Sequence, residues 1–167
     1  MKSKLPRIAE IEALLGQLLA PARQWPQVAD VRVLGAQAAH LFMPLTVLRQ
    51  MGARPCSDAD SIWLRGRAVN GVSVRTGAFP DFPTDLQAVF MAVMANASAH
   101  SEIAETVFEN RFGHVPELKR MGARIDIDGS TAVVEGGRLR GASVEASDLR
   151  AGAALVIAAM CASGTTR

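Results

Sequence analysis

The sequence predicts an α/β domain of the α+β kind, built from stacked helix-and-sheet units, and three observations carry that prediction. Two segments, MGARPCSDADSIWLRG (Met51 to Gly66) and MGARIDIDGSTAVVEG (Met121 to Gly136), align without a gap, sharing Met-Gly-Ala-Arg, an Asp at the eighth place and a closing Gly. Two others, FPTDLQAVF from Phe82 and ASDLRAGAA from Ala146, place Asp-Leu ahead of a small-residue apolar run. Short strand-forming runs lie between them.

Taken in order, Ile8, Ile11, Leu14, Leu15, Leu18 and Leu19 recur at helical spacing, so 7–20 reads as an amphipathic helix that must bury one face. Pro21 and Pro26 end it. VRVLG (Val31 to Gly35) is a strand candidate, and Ala36 to Met51 is helix-like, with Pro44 marking a kink or a fresh start. In each aligned segment the preceding basic residue (Arg49 or Lys119) and the glycine (Gly52 or Gly122) predict a helix end with a C-cap. A strand, a turn around Asp58–Asp60 or Asp128–Gly129, and a second strand follow. The Asp-Leu helices are expected from Pro83 to about Ala97 and from Ser147 to about Ala162. VSVRT (Val72 to Thr76) and EIAETVF (Glu102 to Phe108) read as strands. The resulting unit of roughly 65–70 residues is longer than the commonest solenoid repeats, which suggests stacked units of one domain.

The 167 residues suffice for one domain with a substantial core, and 49% apolar against 20% charged residues is a globular composition. The net charge of +2 comes from 18 basic and 16 acidic residues without a basic block, and aromatics are 5%, so nucleic-acid binding is not indicated. Cys56 and Cys161 stand outside any metal or redox spacing and are read as free thiols. Arg7, Glu10 and Glu12 interrupt what a signal peptide would need as an apolar core, and the run from Ala151 to Ala162 is short of the roughly 20 residues that span a bilayer. A soluble, cytoplasmic protein with no membrane association is expected.

Thr84 and Gln87 fit a capping box, with Asp85 at the first helical position, where the helix dipole favours its ionised form. Asp85 could thus serve as part of a cap or as a catalyst. Ser147-Asp148-Leu149-Arg150 is a similar start, except that Arg150 puts a cation where the dipole disfavours it, so either another anion or Asp148 should meet it. His40, His100 and His114 show no metal-ligand spacing, and neither a metal nor a cofactor is expected. Cys56 occupies the strand position of Asp126 in the aligned segment and is read as structural rather than nucleophilic. No glycine-rich phosphate loop occurs. The densest stretch, VFENRFGHVPELKRMGAR (Val107 to Arg124), crowds Glu109, Asn110, Arg111 and His114 into a loop before a helix. It is either a surface salt-bridge cluster or a site.

Three segments in register, TGAFPDFPTDLQAVFMA (Thr76 to Ala92), FENRFGHVPELKRMGA (Phe108 to Ala123) and ASDLRAGAALVIA (Ala146 to Ala158), resemble the UDP-N-acetylglucosamine enolpyruvyl transferases, or 1-carboxyvinyltransferases, of peptidoglycan synthesis. The likeness runs from about Pro44 to Arg167. The sister enzymes acting on shikimate 3-phosphate share the fold and lack the FPTDLQ and FENRF signatures. The resemblance implies a portion of an inside-out α/β barrel of repeated βαβαββ units, with helices inside and sheet outside. It implies that Asp85 approaches the sugar 3-hydroxyl as general base, that Val107 touches the nucleotide-sugar through its backbone with Phe108 beside it, and that Arg111, Asp148 and Arg150 line the cleft that holds phosphoenolpyruvate. A base role for Asp85 further requires desolvation or nearby Asp148 to raise its proton affinity.

The same resemblance implies that the loop cysteine, a lysine-asparagine pair and several phosphate-binding arginines belong to a second domain without counterpart here, and that a later substrate arginine lies beyond Arg167. Residues 1–43 are read as a divergent segment and 44–167 as a partial transferase domain. The expectation is one wall of a two-walled site, active with a complementing domain supplied by another polypeptide. The alternative is a non-catalytic remnant or a UDP-sugar-binding module, assembled as a homo-oligomer through the 7–20 helix.

Overall fold

The computed structural model describes residues 30–66 and 69–167. The helix read over 7–20 lies outside the described residues.

Two sheets form. In the first, β1 (Asp30–Leu34), β2 (Arg54–Ser57) and β3 (Ser61–Arg65) are antiparallel in the order β1-β3-β2. The second joins β4 (Ser73–Arg75), β5 (His100–Ala104), β6 (Arg124–Asp128) and β7 (Thr131–Glu135) in the order β4-β5-β7-β6. Only β4 and β5 are parallel among these pairs. A parallel pair needs a crossover, and α2 (Gln87–Ala95) supplies it. The other α-helices among the described residues are α1 (Phe42–Gln50), α3 (Val115–Arg120) and α4 (Leu149–Cys161).

Local chemistry accounts for these boundaries. Pro44 sits in the first turn of α1, where its missing N–H costs no helical bond, so it marks a fresh start after a 3-10 turn at Ala38–Leu41. Helices α1 and α3 end alike. Gly52 (φ +103°) and Gly122 (φ +90°) adopt the left-handed conformation, and the next residues, Ala53 and Ala123, donate back to Leu48 and Leu118 carbonyls at 3.0 Å each. That is the Schellman arrangement, which satisfies carbonyls the helix leaves open. Each hairpin follows directly. Asp58 Oδ1 accepts from the Asp60 N–H (3.1 Å) and the Ser61 hydroxyl (2.9 Å) to close the first turn, while Gly129 at φ +56° permits the second.

Helix α2 is buried along its whole length, because α4 covers one side and the second sheet the other. Val74, Ile103, Ile125, Ala132 and Val134 face this core; Ile127 shares the face of Ile125 but lies past the end of the core and is exposed, whereas Val133 faces outward. Phe82 and Phe90 meet edge to face with centroids 4.9 Å apart.

Three expectations need correction. Strand β5 ends at Ala104 rather than continuing to Phe108, since Glu105 turns its carboxylate inward and collects the N–H groups that a strand would have sent to a neighbour. The first Asp-Leu helix opens as a 3-10 turn at Thr84–Leu86, its donors bonded to the Pro83 and Thr84 carbonyls, and no side chain caps it. Thr84 and Gln87 therefore form no capping box. The Thr84 hydroxyl donates instead to Glu105 Oε2 at 2.8 Å, and the buried Gln87 amide nitrogen has no partner among the described residues.

No disulfide joins Cys56, which is exposed, to Cys161, whose thiol burial pushes up to about 12. Among the described residues no helix is long and apolar enough to cross a membrane, and no group of acidic, His and Cys side chains is placed to hold a metal ion.

Candidate active site

Three elements bring Asp85, Arg111 and Arg150 together. The 3-10 turn carries Asp85, the loop after β5 carries Arg111, and the first turn of α4 carries Arg150. Asp85 Oδ1 accepts from Arg111 Nη2 at 3.0 Å and from Arg150 Nε at 2.6 Å. The two arginines differ in their surroundings. Arg111 is 19% exposed and lies over the Phe108 ring, 4.4 Å from its centroid, whereas Arg150 is 45% exposed. One guanidinium is fixed by a ring and the other is open to solvent.

The electrostatics of Asp85 correct the condition set for a base. Partial burial pushes its carboxyl up, but the hydrogen bonds and charges of Arg150 and Arg111 outweigh that and hold it below the usual carboxylate range. It is an ionised acceptor in this arrangement, and Asp148 does not raise its proton affinity.

Asp148 has a different task. Its Oδ1 accepts from the backbone N–H groups of Arg150 (2.7 Å) and Ala151 (3.0 Å), capping α4 and lowering its own proton affinity. The anion that meets the Arg150 side chain is thus Asp85, while Asp148 meets its backbone. The two Asp-Leu motifs are not equivalent helix starts: one aspartate caps and the other pairs with arginines.

The loop carrying Val107 and Phe108 is organised by Glu105, which sequence reasoning placed in a strand and did not single out. Only 3% exposed, its carboxylate accepts from the Val107 N–H at 2.9 Å and the Phe108 N–H at 3.2 Å. Thr76 and Thr84 hydroxyls donate to it at 2.8 Å each. Burial raises its proton affinity, and these four bonds more than reverse that. The Val107 N–H is therefore taken. Asn110 adopts φ +54°, a conformation in which asparagine is more at ease than other side chains, and this turns the chain so that Arg111 faces Asp85.

His114 is buried at the start of α3 with its Nε2 3.3 Å from Met91 Sδ, and burial pushes it down to about 4 against the opposing charge of Asp148. It is a neutral packing group at pH 7. A cavity of about 220 Å³ is lined by Gln87, Asn110, Arg111, His114, Asp148 and Arg150. A wider cleft of about 700 Å³ lies on the other side of the loop, between Val107, Phe108 and the β6–β7 turn. Cys56 lies on β2, in the other sheet, and lines neither space.

The family model of EPSP synthase (3-phosphoshikimate 1-carboxyvinyltransferase) matches residues 25–167, reaching further back than Pro44. The UDP-N-acetylglucosamine 1-carboxyvinyltransferase of Rhodopseudomonas palustris (strain BisB18) is 51% identical over 140 residues, which are 82% of this chain and 33% of that protein. The protein of the same name from Chelativorans sp. (strain BNC1) matches with the same identity and coverage. The chain thus spans about a third of the length of the curated relatives it matches. Among solved structures, the enolpyruvyl transferase NikO from Streptomyces tendae is similar with a TM-score of 0.79 and 26% identity, over 95% of this chain and 37% of its own. EPSP synthase from Acinetobacter baumannii, at 13% identity and a TM-score of 0.72 over 99% of this chain and 39% of that one, shares the fold. With the match covering most of its length, the chain belongs to the EPSP synthase (3-phosphoshikimate 1-carboxyvinyltransferase) family.

Proposed function

We propose that this chain forms one wall of a UDP-N-acetylglucosamine 1-carboxyvinyltransferase site, where the enolpyruvyl group of phosphoenolpyruvate is transferred to the 3-hydroxyl of UDP-N-acetylglucosamine. The observation that carries this reading is the meeting of Asp85, Arg111 and Arg150, all three within the motifs that resemble those transferases. Identity of 51% to proteins of that name supports the substrate class.

In this reading the sugar oxygen bonds to C2 of phosphoenolpyruvate while C3 takes up a proton, and the tetrahedral intermediate then loses phosphate from C2 and a proton from C3 to restore the double bond. Asp85 orients the hydroxyl and receives its proton. Paired with two guanidiniums it is a weak base, so its proton affinity rises only as an anionic substrate group draws Arg150 away. A guanidinium suits that exchange because its planar fork takes carboxylate and phosphate alike. The Val107 N–H being taken by Glu105, its carbonyl is the backbone group left for the nucleotide-sugar. Asp148 contributes by setting the start of α4 and hence the position of Arg150.

The fold is read as part of an inside-out barrel, which the enclosed α2 and the outward Val133 support. We assign the opposing wall, with its loop cysteine and phosphate-binding arginines, to sequence beyond the third of the relatives that this chain matches.

The test is phosphate release from phosphoenolpyruvate and UDP-N-acetylglucosamine, with the complementary part of a relative supplied as a second polypeptide. Turnover that needs both polypeptides and drops at least about 100-fold in Asp85→Asn is expected, as for loss of a positioned proton acceptor. Equal turnover by Asp85→Asn would remove Asp85 from the chemistry. Saturable sugar binding without turnover would leave the chain a UDP-sugar-binding module.

A further inference from the structure

We propose that Glu105 is a positioning residue for the transfer, holding the turn that carries Asp85 and the loop that carries Val107 and Phe108 in one fixed relation. This rests on the functional reading above and goes beyond it, since the bonds of the Glu105 carboxylate run to Thr76, Thr84, Val107 and Phe108 and not to Asp85.

The two oxygens of its carboxylate divide the work. Oε1 accepts from the Val107 and Phe108 N–H groups and from the Thr76 hydroxyl, while Oε2 accepts from Thr84, the residue before Asp85. One rigid planar group therefore spans both sides of the site. Thr76 extends the connection, because its hydroxyl oxygen accepts from the Thr106 N–H at 2.9 Å. A second route reaches Asp85 through the loop itself: the Phe108 ring supports the Arg111 guanidinium, and Arg111 donates to Asp85. Releasing Glu105 would move Asp85 by both routes.

A carboxylate buried for packing alone would be a poor choice, since desolvating the charge is costly and an apolar group of the same shape holds a core as well. What an apolar group cannot do is accept from consecutive loop N–H groups that have no ladder partner. Nor could it bind a hydroxyl on a second element at the same time. Glutamine could do most of it. Its amide oxygen can replace Oε1, and its NH₂ can donate to the Thr84 oxygen once that hydroxyl reverses.

The experiment compares wild type, Glu105→Ala and Glu105→Gln by amide hydrogen exchange and by calorimetric titration with UDP-N-acetylglucosamine. Exchange at Val107 and Phe108 is expected to quicken at least about ten-fold in Glu105→Ala relative to the Val134 amide, which lies in the middle of the second sheet and reports global opening. Glu105→Gln should stay near wild type. Affinity should weaken at least about ten-fold in the alanine variant and recover in the glutamine variant. Unchanged exchange at both loop amides in Glu105→Ala overturns the proposal whatever the ligand does. If wild type fails to bind the nucleotide-sugar while the loop amides respond as expected, the functional reading falls and the positioning stands.

Should Glu105→Ala not fold, Thr84→Val tests the same coupling from the other end. It should shift the Asp85 carboxyl titration, followed by carbon NMR, and leave the Val107 and Phe108 amides as they are. An unmoved Asp85 titration would break the proposed link.

Discussion

Arg150 Nε donates to Asp85 Oδ1 at 2.6 Å, joining the first turn of α4 to the turn before α2 across 65 positions of sequence. Arg111 reaches the same oxygen from a third element. The relationship explains why a cation is tolerated at a helix N-terminus: the unfavourable dipole is offset by a carboxylate in direct contact.

Removing that contact should raise the proton affinity of Asp85. In Arg150→Ala the Asp85 titration, followed by carbon NMR, is expected to move up toward the ordinary aspartate range, stopping short of it because Arg111 remains. Stability should change by no more than about 1 kcal/mol, since both partners are more than a third exposed and solvent screens the pair. A downward shift, or none, would mean that Arg150 does not govern the charge of Asp85.

Asp148 should behave as a cap. Asp148→Ala is expected to cost about 1 kcal/mol in urea denaturation, and Asp148→Asn should recover most of it, because asparagine caps nearly as well. Equal losses in both variants would instead assign the effect to charge.

The alternation of helix and hairpin was legible in the sequence because its signals are local. Gly52 and Gly122 follow basic last turns, and Asp58 and Gly129 mark tight turns within a few residues of the strands they join. The site was legible only in its residue types. Thr84 and Gln87 have capping-box spacing, yet Thr84 is drawn to a buried carboxylate 21 residues later, a stronger acceptor than any spacing rule can anticipate. Glu105 looked like one more strand residue for the same reason: its partners come from Thr76 just after β4, the 3-10 turn and its own loop, which meet only after folding. The Arg150 misfit at a helix start was the one local clue to a long-range ion pair, and it left the choice between Asp148 and another anion open.

His114 makes stability depend on pH. Its folded value, pushed down to about 4, lies below the ordinary 6.5, so the unfolded chain binds the extra proton between them. The stability it contributes is complete above about pH 6.5 and is lost progressively as pH falls toward 4. Urea denaturation should show a loss of roughly 2 kcal/mol between pH 7 and pH 5 from this group, and His114→Phe should flatten that part of the profile. The lowered Asp85, Asp148 and Glu105 act in a separate window, their contributions lost only as pH falls below the ordinary carboxylate range. A pH 7 to 5 loss that persists in His114→Phe would place its source elsewhere.

The most direct test of the central claim, that the Asp85–Arg111–Arg150 cluster and the Val107–Phe108 loop form a sugar-nucleotide wall, is calorimetric titration of the chain with UDP-N-acetylglucosamine beside Arg111→Ala. Arg111 joins the two parts, one guanidinium resting on Phe108 and bonded to Asp85. The account predicts saturable binding by wild type and a loss of affinity of at least about ten-fold in the variant. No heat from the wild-type chain, or equal binding by both proteins, would contradict it.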